Sequence, residues 1–445
     1  MEPVAPNRAS PKAIAREVAS PPIRALVLGT EHPRSAAVIR SFAKRGIPVD
    51  VADHYSPPTA LWRGSRYIRD RCLLNGNHTY VVNTLLKIGE TGGGLLVPTN
   101  EYYLTLVSQN HAALSKVFTV TVPPWEILMP LMDKVEACRL AREAGIEAPQ
   151  HFKPSNMTEL EQVLANLDFE ERAYVLKIRM WDIGAADAGT LRRVASAGTD
   201  ATTVRARCEK IRNDTGEYPL IEEVVTGGAD NCIGVSMVVD RNHEPVVAYC
   251  VRRIQLQLYA KGRSKHPYEL GANAYCESVY DPEAIELATR FVRHTRYTGA
   301  VTVELKRDSV DKRLKFIKAD CRFVRATRLS TAIGLDMPTA LYQVFSGANI
   351  EKSYPRDYRE GVNWIWLEAY VYSLWKNRRD ISLGRELWSL AKRLPKVQAW
   401  AYFDWRDPLP SFILVMTARR RLKMLESGDT RSAVPGAKPE RAASG

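Results

Sequence analysis

Ala300-Val301-Thr302-Val303-Glu304-Leu305-Lys306 and Leu314-Lys315-Phe316-Ile317-Lys318-Ala319-Asp320-Cys321-Arg322 read as two paired strands. Glu304 stands among Val and Leu, where an unpartnered charge is expensive to bury, so its side chain is expected to face a cleft rather than a dry core. Asp320 closes the second strand, and a hairpin brings the two carboxylates together. The bland alternative is two unrelated surface acids.

Outward from this hairpin, the N-terminal side is α/β throughout. Tyr174-Val175-Leu176-Lys177-Ile178 and Leu220-Ile221-Glu222-Glu223-Val224-Val225 are strands, the latter followed by Gly227-Gly228. Ile233 to Val239 and Pro245 to Val251 alternate as a hairpin around Asn242. Helices are expected from Met132 to Ala144 with Gly145 as the stop, over 158–167, and from Pro282 to Arg293. Further upstream, the apolar run Ile23–Leu28 ends at Gly29, Ser35–Arg45 is helical, and Pro48–Asp53 is a second strand. This β-α-β opening implies an open α/β sheet. A later strand, Leu95–Pro98, ends at Thr99-Asn100-Glu101, and such carboxyl ends commonly carry ligand-facing groups. The first turn, Gly29-Thr30-Glu31-His32-Pro33, is not the G-x-G-x-x-G of a dinucleotide fold. Residues 355–426 are rich in helix pattern and Trp. Trp364, Leu367, Val371, Leu374 and Trp375 suit one helix face that packs in a core.

Composition narrows the class. The 445 residues are 45% hydrophobic and 25% charged, an ordinary balance for a globular chain of several lobes. No apolar run approaches the length of a membrane span. Residues 1–22 hold five prolines and no apolar h-region, so the cytoplasm is the expected compartment. The seven cysteines have no C-x-x-C pair and are expected to be reduced thiols. The net charge is +13, part of it in the tails. Without a zinc finger, RRM or KH pattern, a nucleotide ligand accounts for the basic residues better than nucleic acid. Phe412 to Leu425 joins an apolar run to Arg419-Arg420-Arg421; peripheral membrane contact is a reading of it, but packing of a terminal helix is favoured.

Together these stations resemble the ATP-grasp superfamily, most closely its carbamoyl-phosphate-synthase-like and biotin-carboxylase-like carboxylate–amine ligases. The resemblance runs from about Leu26 to about Val344, with a weaker echo to Pro410, and rests on several motifs in order. Pro98-Thr99-Asn100-Glu101 looks like the family's pre-ATP-grasp domain. Asp133-Lys134 with Gly145-Ile146-Glu147-Ala148-Pro149 looks like its D-K…G-I-x-x-P station. Val175-Leu176-Lys177 looks like the second nucleotide-lysine strand, and Glu222 to Gly227 like the adenine hinge. Val303 to Lys306 and Asp320-Cys321-Arg322 look like the metal and substrate strands.

The implied organisation is a leader (1–22), an open-sheet pre-ATP-grasp domain (23–125), a two-lobe α+β ATP-grasp module (126–350), a helical C-terminal segment (351–427) and a disordered tail (428–445). The implied activity is ATP-dependent ligation of a carboxylate to an amine, or to a thiol, through an acyl phosphate. The substrates are then small molecules, the cofactors are ATP with one or two Mg2+ ions, and a homodimer is admitted. On this resemblance Lys134 and Lys177 meet phosphates. Glu222, Glu223, Val224 and Val225 meet adenine, and Asp230 accepts from the ribose. Glu304 and Asp320 hold the metal, and Arg322 and Arg253 clamp the carboxylate or acyl phosphate. For Arg253 a surface residue of Arg252-Arg253 is nearly as good a reading.

Two departures stand out. Where the family has E-I-N-P-R, this chain has Lys318-Ala319-Asp320-Cys321-Arg322, so an ammonium replaces a bridging carboxylate. Repulsion between dehydrated Lys318 and magnesium amounts to several kcal/mol, judged from about 4 kcal/mol for unit charges at 4 Å in an effective dielectric near 20. The stretch Arg179–Gly189, where the family has a Gly-rich flap, holds only Gly184 and Gly189 and adds Asp187. Both departures lie at the phosphate end. They set a nucleotide-binding pseudo-ligase with a regulatory or partner-binding role beside the ligase, with Lys318 as the residue that decides.

Overall fold

The computed structural model describes residues 23–54, 60–170, 172–177, 196–198, 200–258, 271–347, 358–376, 378 and 381–416. The first layer is a parallel sheet of β1 (Ala25–Leu28), β2 (Val49–Asp53), β3 (Asp70–Leu73), β4 (Leu95–Pro98) and β5 (Thr119–Val120), in the order β3-β2-β1-β4-β5. The central β1, Ala-Leu-Val-Leu, is buried along its whole length, as an apolar run between two parallel neighbours must be. The following helix, Pro33–Lys44, starts with proline at its first turn, where a missing N–H costs nothing.

A small antiparallel sheet comes next: β6 (His151–Phe152), β7 (Tyr174–Lys177), β8 (Ser196–Gly198) and β9 (Leu220–Glu223), in the order β6-β9-β7-β8. Helices Met157–Asn166 and Ala201–Thr215 cover one of its faces through Leu160, Leu164, Val204 and Cys208.

The largest sheet has seven strands: β10 (Cys232–Val239), β11 (Pro245–Leu258), β12 (Gly271–Val279), β13 (Gly299–Arg307), β14 (Leu314–Asp320), β15 (Asn363–Ile365) and β16 (Val397–Trp400). Their order is β14-β13-β10-β11-β12-β15-β16. Both faces are buried, and the alternation expected for residues 233–239 and 245–251 divides between them. Val247, Tyr249 and Val251 pack toward helices Pro33–Lys44 and Met337–Ser346. Val235, Met237, Ala248 and Cys250 pack toward helix Pro282–His294.

The C-terminal segment is not purely helical. Trp364, expected on a helix face, lies in β15 opposite Cys276 and is fully buried; the helix begins at Leu367. On that helix Leu374 is buried, whereas Val371 and Trp375 are exposed. The segment then returns to the first layer. Arg40 Nε donates to Asp407 Oδ2 at 3.0 Å, and Lys44 and Arg328 both pair with Asp404, at 2.6 and 3.0 Å. Residues 409–416 are helical. The Arg419-Arg420-Arg421 run and the stretch 179–189, where a flap is expected, lie outside the described residues. Among the described residues, no helix is long and apolar enough to cross a membrane.

Candidate functional site

The register of β13 and β14 sets Glu304 opposite Lys318 and Thr302 opposite Asp320. Directly opposed residues project to one face of a sheet, so both carboxylates and the ammonium share it. Lys318 Nζ lies 2.8 Å from Asp320 Oδ2 and 3.6 Å from Glu304 Oε1. Arg322 Nη1 donates to Asp320 Oδ1 at 2.9 Å. Arg253, from β11, pairs with Glu304. The intervening strand β10 places Gly234 opposite Glu304, so no side chain stands between them there. Burial alone would raise the Asp320 pKa, yet Lys318 and Arg322 hold it well below the usual carboxylate range. Burial pulls the Lys318 pKa down, but Asp320 and Glu304 more than offset this and keep it charged.

This knot of charges faces the carboxyl edge of the parallel sheet. Arg322 Nη2 lies 3.8 Å from Glu101, the first residue of helix Glu101–Gln109. Asn100 caps that helix and donates from Nδ2 to Glu31 at 2.9 Å. Gly29, at φ +87°, ends β1 beside it, and a Cβ there would stand 2.9 Å from Asn100 Nδ2. The tight turn therefore requires glycine for both backbone and space.

The hinge lies beside the knot at the same end of β10, where Cys232 stands opposite Lys306. Glu222 Oε2 is 2.9 Å from Nε2 of His151, whose side chain is buried, and Glu223 pairs with Arg172. Val224 N–H donates to Ala173 O at 2.9 Å, and Val225 O accepts from Lys306 Nζ at 2.8 Å. Thr226 donates to Asp308, which also accepts from Lys315 Nζ at 2.8 Å, and this fastens the hinge to the β13–β14 turn. Asp230 is exposed in the short turn Ala229–Asn231. The hinge and the knot meet around Cys232. Burial raises its thiol pKa, Arg253 and Lys306 oppose the rise, and Glu304 and Asp230 add to it. Arg253, Glu304, Lys306 and Asp230 thus share one neighbourhood.

The two lysines expected to meet phosphates stand apart from these groups in the sequence. Lys134 is the exposed first residue of helix Lys134–Glu143, capped by Asp133, and that helix packs on β14. Lys177 ends β7, paired with Leu220, and its side chain lies outside the described residues. Sequence reasoning missed two residues at the knot. Arg34 sits at the second position of helix Pro33–Lys44 with its Nη1 3.5 Å from Phe323 O, and Arg325 follows Arg322 by three positions in the turn Arg325–Thr327. The Arg spacing 322–325 was visible, but the approach of Arg34 across 289 positions had no local signal.

Solved structures give the fold its place. The biotin carboxylase domain dimer of Hydrogenobacter thermophilus 2-oxoglutarate carboxylase, in complex with MgADP, ADP and bicarbonate, superposes with a TM-score of 0.55 at 13% identity, over 76% of this chain and 73% of that one. A biotin carboxylase–βγ-ATP complex from Campylobacter jejuni gives 0.55 at 13% identity, over 77% and 74%. Rhizobium etli pyruvate carboxylase gives 0.56 at 15%, where the matched part is 77% of this chain and 32% of that one. The chain has the ATP-grasp fold of a biotin carboxylase domain. No sequence family model matches it, and no curated protein matches by sequence.

Within this ATP-grasp fold the acidic pair is a poor fit for a pair of protein-bound metals. Magnesium takes oxygen donors in a near-octahedral shell. Glu304 and Asp320 are already matched by Arg253, Lys318 and Arg322. Among the described residues, no group of three or more His, Cys, Asp or Glu side chains is arranged to hold a metal. An ion bound by both carboxylates would have to displace the Lys318 ammonium, whose side chain at 40% exposure has room to swing out.

Proposed function

We propose that the chain is an ATP-dependent ligase joining a carboxylate to an amine. The observation that carries this reading is the knot of Arg253, Lys318 and Arg322 on Glu304 and Asp320, placed between the carboxyl edge of a parallel sheet and a hinge in an ATP-grasp fold. The base lies along Glu222–Val225 and the ribose near Asp230. Lys134 and Lys177 meet the phosphates. A substrate carboxylate oxygen attacks the γ-phosphorus, the bond to the β-γ bridging oxygen breaks, and ADP leaves with an acyl phosphate formed. The amine nitrogen then attacks the acyl carbon, loses a proton, and expels inorganic phosphate. Lys318 and Arg253 counter the charge of the transferred phosphoryl group, a task for which preorganised cations in a sheltered cleft are suited. Arg322 orients the carboxylate by the paired N–H geometry of a guanidinium.

The second reading is a nucleotide-binding pseudo-ligase. It is favoured by the double engagement of Lys318, which occupies both carboxylates a metal would use. The experiment that separates the two readings measures ADP release against a panel of carboxylate–amine pairs, beside direct nucleotide binding. Turnover on any pair supports the ligase. Binding with no turnover on every pair supports the pseudo-ligase, and no nucleotide binding refutes both.

A further inference from the structure

The charges around the knot do not balance, and the imbalance is local. Glu304 is matched by Arg253 and Lys318, and Asp320 by Lys318 and Arg322, with Glu101 at the far side of Arg322. Beyond Arg322 stand two more guanidiniums. Arg34 is only 5% exposed, and its neighbours in charge include Arg322 and Arg325. Burial first, and then those two arginines, bring its pKa down to about 9, although Asp320 and Glu31 pull the other way. Glu31 is itself engaged by Asn100 and His32.

Among the described residues, neither Arg34 nor Arg325 makes an ion pair; Arg34 has only the long contact to the Phe323 carbonyl, and Arg325 lies over the Trp366 ring at 5.3 Å. The Nε atoms of Arg34, Arg322 and Arg325 are all shielded from solvent and lack a hydrogen-bond partner. Three guanidiniums contributed by two layers of the molecule, held together against their own repulsion and with donors unused, form a receptor for an anion.

We infer that the acid this chain binds carries a second anionic group, held by Arg34 and Arg325, beside the carboxylate that Arg322 orients. This rests on the ligase reading for the role of Arg322. The substrate class is therefore an acid with two anionic groups, the second a carboxylate or a phosphonate- or phosphate-type group. The amide of the same acid, with one charge removed, is the matched non-substrate.

The test is isothermal titration of the full chain, with and without ADP, using succinate, glutarate and 3-phosphonopropionate against succinamate and glutaramate. The expected result is that at least one dianion binds about tenfold or more tightly than the monoamides, the size of one charge-assisted contact. R34Q and R325Q each remove that preference, R34K retains part of it, and the affinity for a fluorescent ADP analogue stays unchanged in all three. Preference for succinate or glutarate assigns a dicarboxylate, and preference for 3-phosphonopropionate assigns the phosphorus-containing class. Equal affinity for diacid and monoamide, or a preference that survives in both Gln variants, overturns the inference. Should R34Q melt early, the less buried R325Q decides. Dianion selectivity without any nucleotide binding would leave this inference standing and refute the ligase. Nucleotide turnover without dianion selectivity would do the reverse.

Discussion

At the scale of single residues, the alternation of a strand decides what a pair of identical side chains does. Arg252 and Arg253 are indistinguishable in the sequence. In the structure Arg252 turns outward, 47% exposed, to Glu277, while Arg253 turns inward, 18% exposed, to Glu304. An exposed pair is worth about 0–1 kcal/mol, so R252M should leave the urea midpoint nearly unmoved. R253M strips a cation from a sheltered carboxylate and should cost more, up to about 3–5 kcal/mol. Equal midpoints for the two variants would show that the inward pairing is not formed. Lys318 was legible as a departure from a motif. Its ion pairs to both carboxylates became visible only in the register, because they depend on which residue of β13 lies opposite it.

Among the elements, the hinge after β9 is fastened by a buried ion pair as well as by its backbone hydrogen bonds. Asp308 and Lys315 are both nearly inaccessible, and Asp308 holds Thr226 as well. Burial would raise the Asp308 pKa, but Lys315, Thr226 and the Val310 N–H bring it down to about 2. A depressed carboxylate stabilises the fold above its unfolded pKa of 3.8, and the gain is lost as pH falls from there toward about 2. In an acid titration followed by circular dichroism, D308N should therefore show a shallower loss of stability between those values than the parent. An unchanged slope would remove Asp308 from the account. The strands themselves were readable from apolar runs and alternation, as Ile233–Val239 and Pro245–Val251 show. Trp364 was misplaced because a large apolar residue beside a helical pattern reads as helix when its true partner, Cys276, lies 88 positions away.

Across the whole molecule, the last described segment closes on the first helix. Arg40 and Asp407 are the most deeply buried ion pair described, at 3% and 1% exposure, and Asp407 also accepts from Ser65 and from the Arg66 N–H. R40M leaves that carboxylate without its guanidinium and should lower unfolding free energy by about 3–5 kcal/mol in urea titration. A loss below about 1 kcal/mol, the worth of an exposed pair, would mean that the clasp does not form. No sequence pattern announced this closure, since its halves lie more than 360 positions apart and meet only once the sheet between them is built.

On the proposed reading the crevice carries its own cation, Lys318, beside the two carboxylates expected to hold a metal. Titration of a fluorescent ATP analogue into the parent and K318E, in excess magnesium and again in excess EDTA, tests it most directly. Chelation should change the parent's affinity by less than about threefold, well under one charge-assisted hydrogen bond, whereas K318E should gain a magnesium dependence of about tenfold or more. A parent that loses the nucleotide on chelation, or a K318E whose affinity ignores magnesium, would contradict it.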